Sequence, residues 1–335
     1  MKIKITRKFS SRRLGRICEE GEEIEADPDW CQSIAKQGFG KITDFTSPLQ
    51  KNKNILKLKG TQIELIKKKG DKVFLTGHRG YLGSYILEAL SQDYDVVGFD
   101  LKDGDDILDL DQLQVKMGGC RVVIHGAGIP HPSPQYDFTD YFTSNVMGTL
   151  NVCRAAVKSR AWRVVYLSSG AVYGWDTIGK FWPLYLPIDE SHPLLTATKK
   201  FKGKLCGYAQ SKVLAEQVLA WYGTNRFQVL SLRLGPARPQ SKFFQFNQRS
   251  TLAQREQTLW VNVEPETVAR AVRLAIEVNL KIGFEAFNVV EKHTHPDVDL
   301  NDYLKQYYPD VPLKEGWQSP QNLLSIEKAE RILGL

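Results

Sequence analysis

Tyr208 and Lys212, in the stretch YAQSK, are the pair of side chains best suited to moving a proton. On a helix, residues i and i+4 share a face. An ammonium beside a phenol of ordinary pKa ~10 favours the phenolate, so such a pair can exchange a proton with a hydroxyl or carbonyl near neutral pH. It is the one Tyr-x-x-x-Lys in the chain, although spacing alone equally describes an ordinary amphipathic helix. Its weight comes from order: it follows Ser168 and Ser169 of SSGAVYG, which end an apolar run and can bring hydroxyls to the same oxygen.

Upstream lies a second chemical signal, TGHRGYLG, with glycines at Gly77, Gly80 and Gly83. Gly77 permits a tight turn, Gly80 lets a pyrophosphate approach backbone amides at a positive helix end, and Gly83 allows close packing of helix on strand. Asp100 follows 23 residues after Gly77. A carboxylate there accepts from ribose hydroxyls and repels a 2′-phosphate, which favours NAD over NADP. Arg79 and Lys102 oppose that reading, because either can reach a 2′-phosphate.

These residues need a scaffold, and the pattern from Asp71 onward supplies one. Strands are expected at 72–76, 95–99, 121–125, 163–168 and 227–232. Helices are expected at 81–91, 140–159, 206–222, 265–278, 300–307 and 325–333. Such alternation is the signature of a Rossmann-type doubly wound parallel α/β sheet with helices on both faces. Before it, residues 1–45 read as a small basic β-rich unit with one or two helical turns over 28–36, and 46–70 as a Lys-rich linker with some strand.

With 335 residues, 42% apolar and 25% charged, the chain is expected to hold one large domain plus an appendage, which excludes disordered and fibrous classes. The net charge of +7 is confined to residues 1–70, which hold 16 Lys and Arg against 9 Asp and Glu; the remainder has 29 of each. Any polyanion or assembly partner therefore belongs to that segment, although a run of lysines such as 51–59 or 67–69 is more often a solvated face. Five scattered cysteines, Cys18, Cys31, Cys120, Cys153 and Cys206, suit a reducing cytoplasm and give no metal-binding spacing. No apolar stretch of about 18 residues suggests a membrane span.

Residues 71–335 resemble the extended short-chain dehydrogenase/reductases of the NAD-dependent epimerase/dehydratase superfamily. The resemblance rests on TGHRGYLG, Asp100, Asp106-Ile107, HGAG at 125–128, NVMGTLN at 145–151, SSGAVYG, PIDE at 187–190, YAQSK and LRLGP at 232–236. It implies a Rossmann domain with a small C-terminal substrate lobe, an NAD-dependent hydride transfer on a sugar, sugar acid or nucleotide-sugar, and a homodimer built on the helices at 140–159 and 206–222. Carried over, Tyr208 is the general acid/base, Lys212 binds the nicotinamide ribose and lowers the tyrosine pKa, and Ser169 steadies the substrate oxygen. Cofactor contacts fall on Gly77, Arg79, Gly80, Tyr81, Leu82, Gly83, Asp100, Asp106, Ile107, Ala127, Gly128, Asn145, Ser168 and Pro236, besides Tyr208 and Lys212.

Departures from the pattern bear on the substrate. Only 27 positions separate Arg233 from Trp260, a compact interval that resembles the uronate dehydrogenase branch. His131, in a proline loop, and Arg238, able to pair with a carboxylate or phosphate, are the expected substrate contacts. His125, inside an apolar strand, reads as a core histidine, and His293 and His295 lack metal partners. The glycine loop is also similar to that of GDP-fucose synthase, an NADPH enzyme that lacks the acid at Asp100. The insertion ATKKFKGKL at 197–205 is expected at the rim of the site. Residues 1–45 resemble small modules of bacteriophage proteins, which implies a phage setting and a tether to a virion or another assembly. The competing reading is a non-catalytic Rossmann scaffold or virion-associated protein; three intact site residues, Ser169, Tyr208 and Lys212, weigh against it.

Overall fold

The structure, a computed structural model, describes residues 2–11, 16–25, 35, 40–44, 71–174, 183–195, 206–239, 241–242, 261–280, 283–293, 299–319 and 321–335. The linker at 46–70 with its lysine runs, the insertion at 197–205, His295, Trp260 and nearly all of the expected turns at 28–36 lie outside the described residues. Two compact units divide the chain, Met1–Ile63 and Glu64–Leu335. In the first, β1 (Lys2–Ile5) pairs antiparallel with β4 (Glu23–Glu25) on one side and β5 (Gly40–Asp44) on the other, burying Ile3, Ile5 and Ile24. A separate hairpin pairs β2 (Phe9–Ser11) with β3 (Arg16–Cys18).

The larger unit is built on six parallel strands: β6 (Lys72–Thr76), β7 (Asp95–Phe99), β8 (Val122–His125), β9 (Arg163–Ser169), β10 (Gln228–Leu234) and β11 (Phe284–Val289). Their spatial order is β11-β10-β9-β8-β6-β7. The chain therefore leaves β6 toward β7 on one side and returns to β8 on the other. The carboxyl ends of β6 and β8 form the switch point where such sheets bind ligands. Register aligns Thr76 with Phe99 and with His125, and Ser169 with Leu234, so the motif residues leave the sheet at one edge.

Alternation along β6 explains the two-sided packing. Val73 and Leu75 face a core made with α1 (Tyr81–Leu90), α6 (Pro265–Glu277) and α8 (Glu327–Leu333). Phe74 faces the opposite core, made with α2 (Leu110–Lys116), α4 (Gly148–Ser159) and α5 (Gly207–Asn225). Strands buried on both faces carry near-continuous Val, Ile and Leu, as β6, β8 and β9 do. A third cluster forms the lobe: Leu186, Ile188, Leu300, Tyr303, Leu323 and Leu324 pack with Tyr173, Tyr208 and Val213, α7 (Leu300–Tyr307) supplying Leu300 and Tyr303.

The expected strands are present within two residues of their bounds, and the sheet gains β11, which the sequence pattern did not show. In β11 the run FEAFNV breaks alternation, apolar side chains falling at 284, 286, 287 and 289. Helix α2, seven residues long, is too short to display a helical period, although Asp109 caps it by accepting from the Gln112 amide. The single helix expected over 140–159 is three pieces: α3 (Phe138–Tyr141), a π-turn over Phe142–Met147, and α4.

Candidate active site

A cleft of about 1020 Å³ opens at the carboxyl ends of β6, β7, β8, β9 and β10. Its floor is the glycine turn. Gly77 sits at φ +76°, and a Cβ there would meet the Ala127 amide at 2.9 Å. At Gly83 a Cβ would lie 2.0 Å from the Gly77 carbonyl, so only hydrogen fits between helix and turn. Helix α1 starts at Gly80 with no side-chain cap and no acidic residue in its first turn. An uncapped helix start of this kind leaves backbone amides and the positive dipole end for an anion.

Beside it, Asp100 is 8% exposed and held from three directions. Its carboxylate accepts from the amides of Arg79 and Lys102, each at 2.9 Å, and its own amide donates to Asp105 Oδ2 at 3.1 Å. Buried Asp105 is in turn paired with Lys116. Each carboxylate oxygen of Asp100 keeps a second lone pair, the acceptor set a vicinal diol requires. Nearby, Ile107 supports Gly148, where a Cβ would meet Ile107 Cγ1 at 3.0 Å.

On the far wall, Ser169 ends β9 half-buried, accepting from the Ala171 amide at 3.1 Å, which leaves its hydroxyl proton for donation. Ser168 is buried, its hydroxyl donating to Glu216 Oε1 at 2.8 Å. Tyr208 is 6% exposed, its ring edge-on to Tyr141 at 6.2 Å. One turn on, Lys212 Nζ donates to the Leu167 carbonyl at 2.9 Å and lies 5.9 Å from the Tyr208 ring centre. Burial pulls the Lys212 pKa down to about 8, against the opposing pull of Glu216. Glu216 itself is paired with Arg233 at 2.8 Å and also accepts from Ser231, so its charge is balanced inside the protein.

His125 is wholly buried beneath the cleft. Its Nδ1 is 2.9 Å from Thr76 Oγ1 and its Nε2 2.9 Å from Thr149 Oγ1. Thr149 donates to the Asn145 carbonyl, so this network assigns the proton to Nε2, with Thr76 donating to Nδ1. Burial drives the His125 pKa down to about 3, and the ring stays neutral. Thr76 also accepts from the amides of Gly126 and Ala127, which fixes the chain at the switch point.

The cleft brings together Gly77, Gly80, Tyr81, Leu82, Gly83, Asp100, Asp106, Ile107, Ala127, Gly128, His131, Ser168, Ser169, Tyr208, Lys212, Pro236 and Arg238. Two expected cofactor contacts lie off its lining. Arg79 points outward to Asp103, Nε to Oδ1 at 2.6 Å. Asn145 is buried behind Gly128, accepting from the Ile129 amide at 2.7 Å and donating to Ser211 at 2.9 Å; it shapes the wall. Arg238 is half-buried, and burial lowers its pKa. The sequence reading missed Asp140, Thr143 and Ser144 on the rim, and Asp105 under Asp100. Thr143 and Ser144 belong to the π-turn, a feature that favours functional sites and has no sequence signature.

Among the described residues no group of three or more His, Cys, Asp or Glu gathers to hold a metal ion, and no helix is long and apolar enough to cross a membrane.

Comparison with known proteins finds a match over residues 73–251 to the family described as NAD dependent epimerase/dehydratase. The L-arabinose 1-dehydrogenase (NAD(P)(+)) of Haloferax volcanii is 24% identical over 250 residues, covering 70% of this chain and 93% of that protein. A putative UDP-glucose 4-epimerase of Methanocaldococcus jannaschii is 31% identical over 172 residues, 45% of this chain; the match spans half of that epimerase. Among solved structures, UDP-glucose 4-epimerase from Brucella ovis in complex with NAD superposes with a TM-score of 0.58 at 22% identity, covering 79% of this chain and 93% of that one.

Proposed function

Because the chain belongs to the NAD dependent epimerase/dehydratase family, we propose that it is an enzyme that binds NAD in the cleft and oxidises a carbinol of a sugar or sugar derivative. This oxidation is the step that dehydrogenases and epimerases of sugars share. The observation that carries the reading is that Ser169, Tyr208 and Lys212 line the same cleft as the glycine turn and Asp100.

The residues present fit the dinucleotide. Gly77 and Gly83 let the turn close against β8 and α1 close against the turn, the start of α1 has no side-chain cap of its own, and Asp100 offers two acceptors to a ribose diol. NAD, when bound, supplies the acceptor for the hydride that leaves the carbinol carbon. Ser169 holds the substrate oxygen by donating to it. Tyr208 takes the hydroxyl proton as carbon–oxygen double-bond character develops, and returns it when the carbonyl is reduced. Lys212, a cation in a buried position, favours the phenolate of Tyr208 and anchors α5 to β9 through the Leu167 carbonyl. Arg238 and His131, both on the cleft lining, meet the substrate, with Arg238 suited to a carboxylate or phosphate. We also read the basic residues 1–70 as the part that meets a polyanion or an assembly, and the helices α4 and α5 as the dimer surface.

The test is a thermal-shift titration of the full chain with NAD, followed by turnover on a panel of free sugars, uronic acids and nucleotide-sugars. A rise in midpoint with NAD is expected, and Tyr208→Phe should lose at least 100-fold in turnover, the lower end of general acid–base contributions, while still binding NAD. No stabilisation by NAD would overturn the cofactor assignment, and unchanged turnover in Tyr208→Phe would overturn the role of that residue.

A further inference from the structure

Two cations flank Asp100, yet neither lines the cleft. Arg79, 57% exposed at its side chain, has its guanidinium on Asp103, and Lys102 Nζ donates to the Arg79 carbonyl at 3.0 Å. What holds Arg79 aside is itself held. The second carboxylate oxygen of Asp103 lies 3.1 Å from His78 Nε2. The His78 ring, only 14% exposed, lies over Gly98 of β7, where a Cβ would come within 2.6 Å of it. Gly98, His78, Asp103 and Arg79 thus form a chain of contacts from the sheet to a guanidinium whose own backbone amide donates to Asp100.

We propose that Asp103 is a positioning residue for cofactor choice: by latching Arg79 it withholds the cation that would otherwise receive a 2′-phosphate. The proposal rests on the reading that NAD occupies the cleft with its adenosine ribose at Asp100. Asp100 repels the 2′-phosphate directly, and Asp103 removes the Arg79 counter-charge and adds a second negative charge. An exposed ion pair alone is weak, because solvent screens it and two mobile side chains must be ordered. Here His78, packed on Gly98, has already fixed Asp103, so the ordering cost falls on Arg79 alone.

The experiment measures dissociation constants for NAD and NADP with the full chain, by intrinsic fluorescence and by thermal shift, for wild type, Asp103→Ala, Asp103→Asn and Asp103→Ala/Arg79→Ala. The wild type should bind NAD more tightly than NADP. Both single variants should move the NAD-to-NADP preference toward NADP by about three- to tenfold, in the range of one ion pair and its screening, and high salt should erase the shift. The double variant should lose the gain. An unchanged preference in both single variants, with NAD still bound, would overturn the latch. Survival of the full gain in the double variant would also overturn it, since loss of a negative charge would then suffice. Failure of the wild type to bind NAD would overturn the underlying reading and the latch with it. Gly98→Ala gives an independent check, because displacing His78 should weaken its hold on Asp103 and shift the preference in the same direction.

Discussion

His125, beneath the cleft, and Lys212, on its lining, are both buried ionisable groups, and they titrate in different pH ranges. His125 has a folded pKa of about 3 against an ordinary 6.5, so the unfolded chain binds its proton first as pH falls. Its contribution to stability is complete above pH 6.5 and declines toward pH 3 by about 1.4 kcal/mol per pH unit. Unfolding in denaturant should show that slope in the wild type and a shallower one in His125→Gln; equal slopes would remove His125 as the cause. Lys212, lowered to about 8 from 10.5, is a buried cation that costs stability below pH 8, and the cost is relieved as pH rises toward 10.5. Without dinucleotide, the wild type should therefore gain on Lys212→Met by up to about 1.4 kcal/mol per pH unit over that range. A difference independent of pH would mean that Lys212 titrates normally. The residue pattern made both sites legible, as a histidine in an apolar strand and a lysine one turn after a tyrosine. The choice of Ser169 over Ser168 rests on the resemblance, because the pattern alone leaves both hydroxyls open; in the structure Ser168 donates to buried Glu216 while Ser169 accepts from the Ala171 amide, adjacent strand residues pointing to opposite faces.

Among the elements, the turn between β6 and α1 is the most constrained. Gly83→Ala would place a methyl 2.0 Å from the Gly77 carbonyl, so the helix must back away from the strand. Overpacking of this kind costs about 1–3 kcal/mol, and it also moves the start of α1; a lower melting midpoint with weakened NAD binding is expected by thermal shift. A variant as stable as wild type would show that α1 has room to move. This element was readable because glycine spacing and the apolar run before it both demand the same geometry. The π-turn at Phe142–Met147 was not: its apolar spacing continues that of α4, and the widening goes with Asn145, whose amide oxygen accepts from the Ile129 amide while its NH2 donates to the Ile129 carbonyl. Long-range hydrogen bonds of that sort leave no trace in local periodicity. The resemblance expects Asn145 at the cofactor, and its side chain is hydrogen-bonded to Ile129 and Ser211.

At the scale of the whole molecule, the three core clusters of the larger unit are, among the described residues, made by residues 73–333. A chain lacking residues 1–63 should therefore fold cooperatively and keep its NAD-dependent rise in melting midpoint; aggregation or loss of that rise would show that the first unit is needed for the second. The parallel sheet was legible from alternating β and α patterns. The lobe was legible only as helices, because its strand-like contacts join distant segments, Leu186 to Leu313 and Ile188 to Leu324. Those bridges span more than a hundred residues, which sets an order of assembly. The glycine turn and its first strands are local and can form while the chain is still emerging from the ribosome. The lobe has to wait for Leu324, and until then its apolar face is open to chaperones or to other nascent chains.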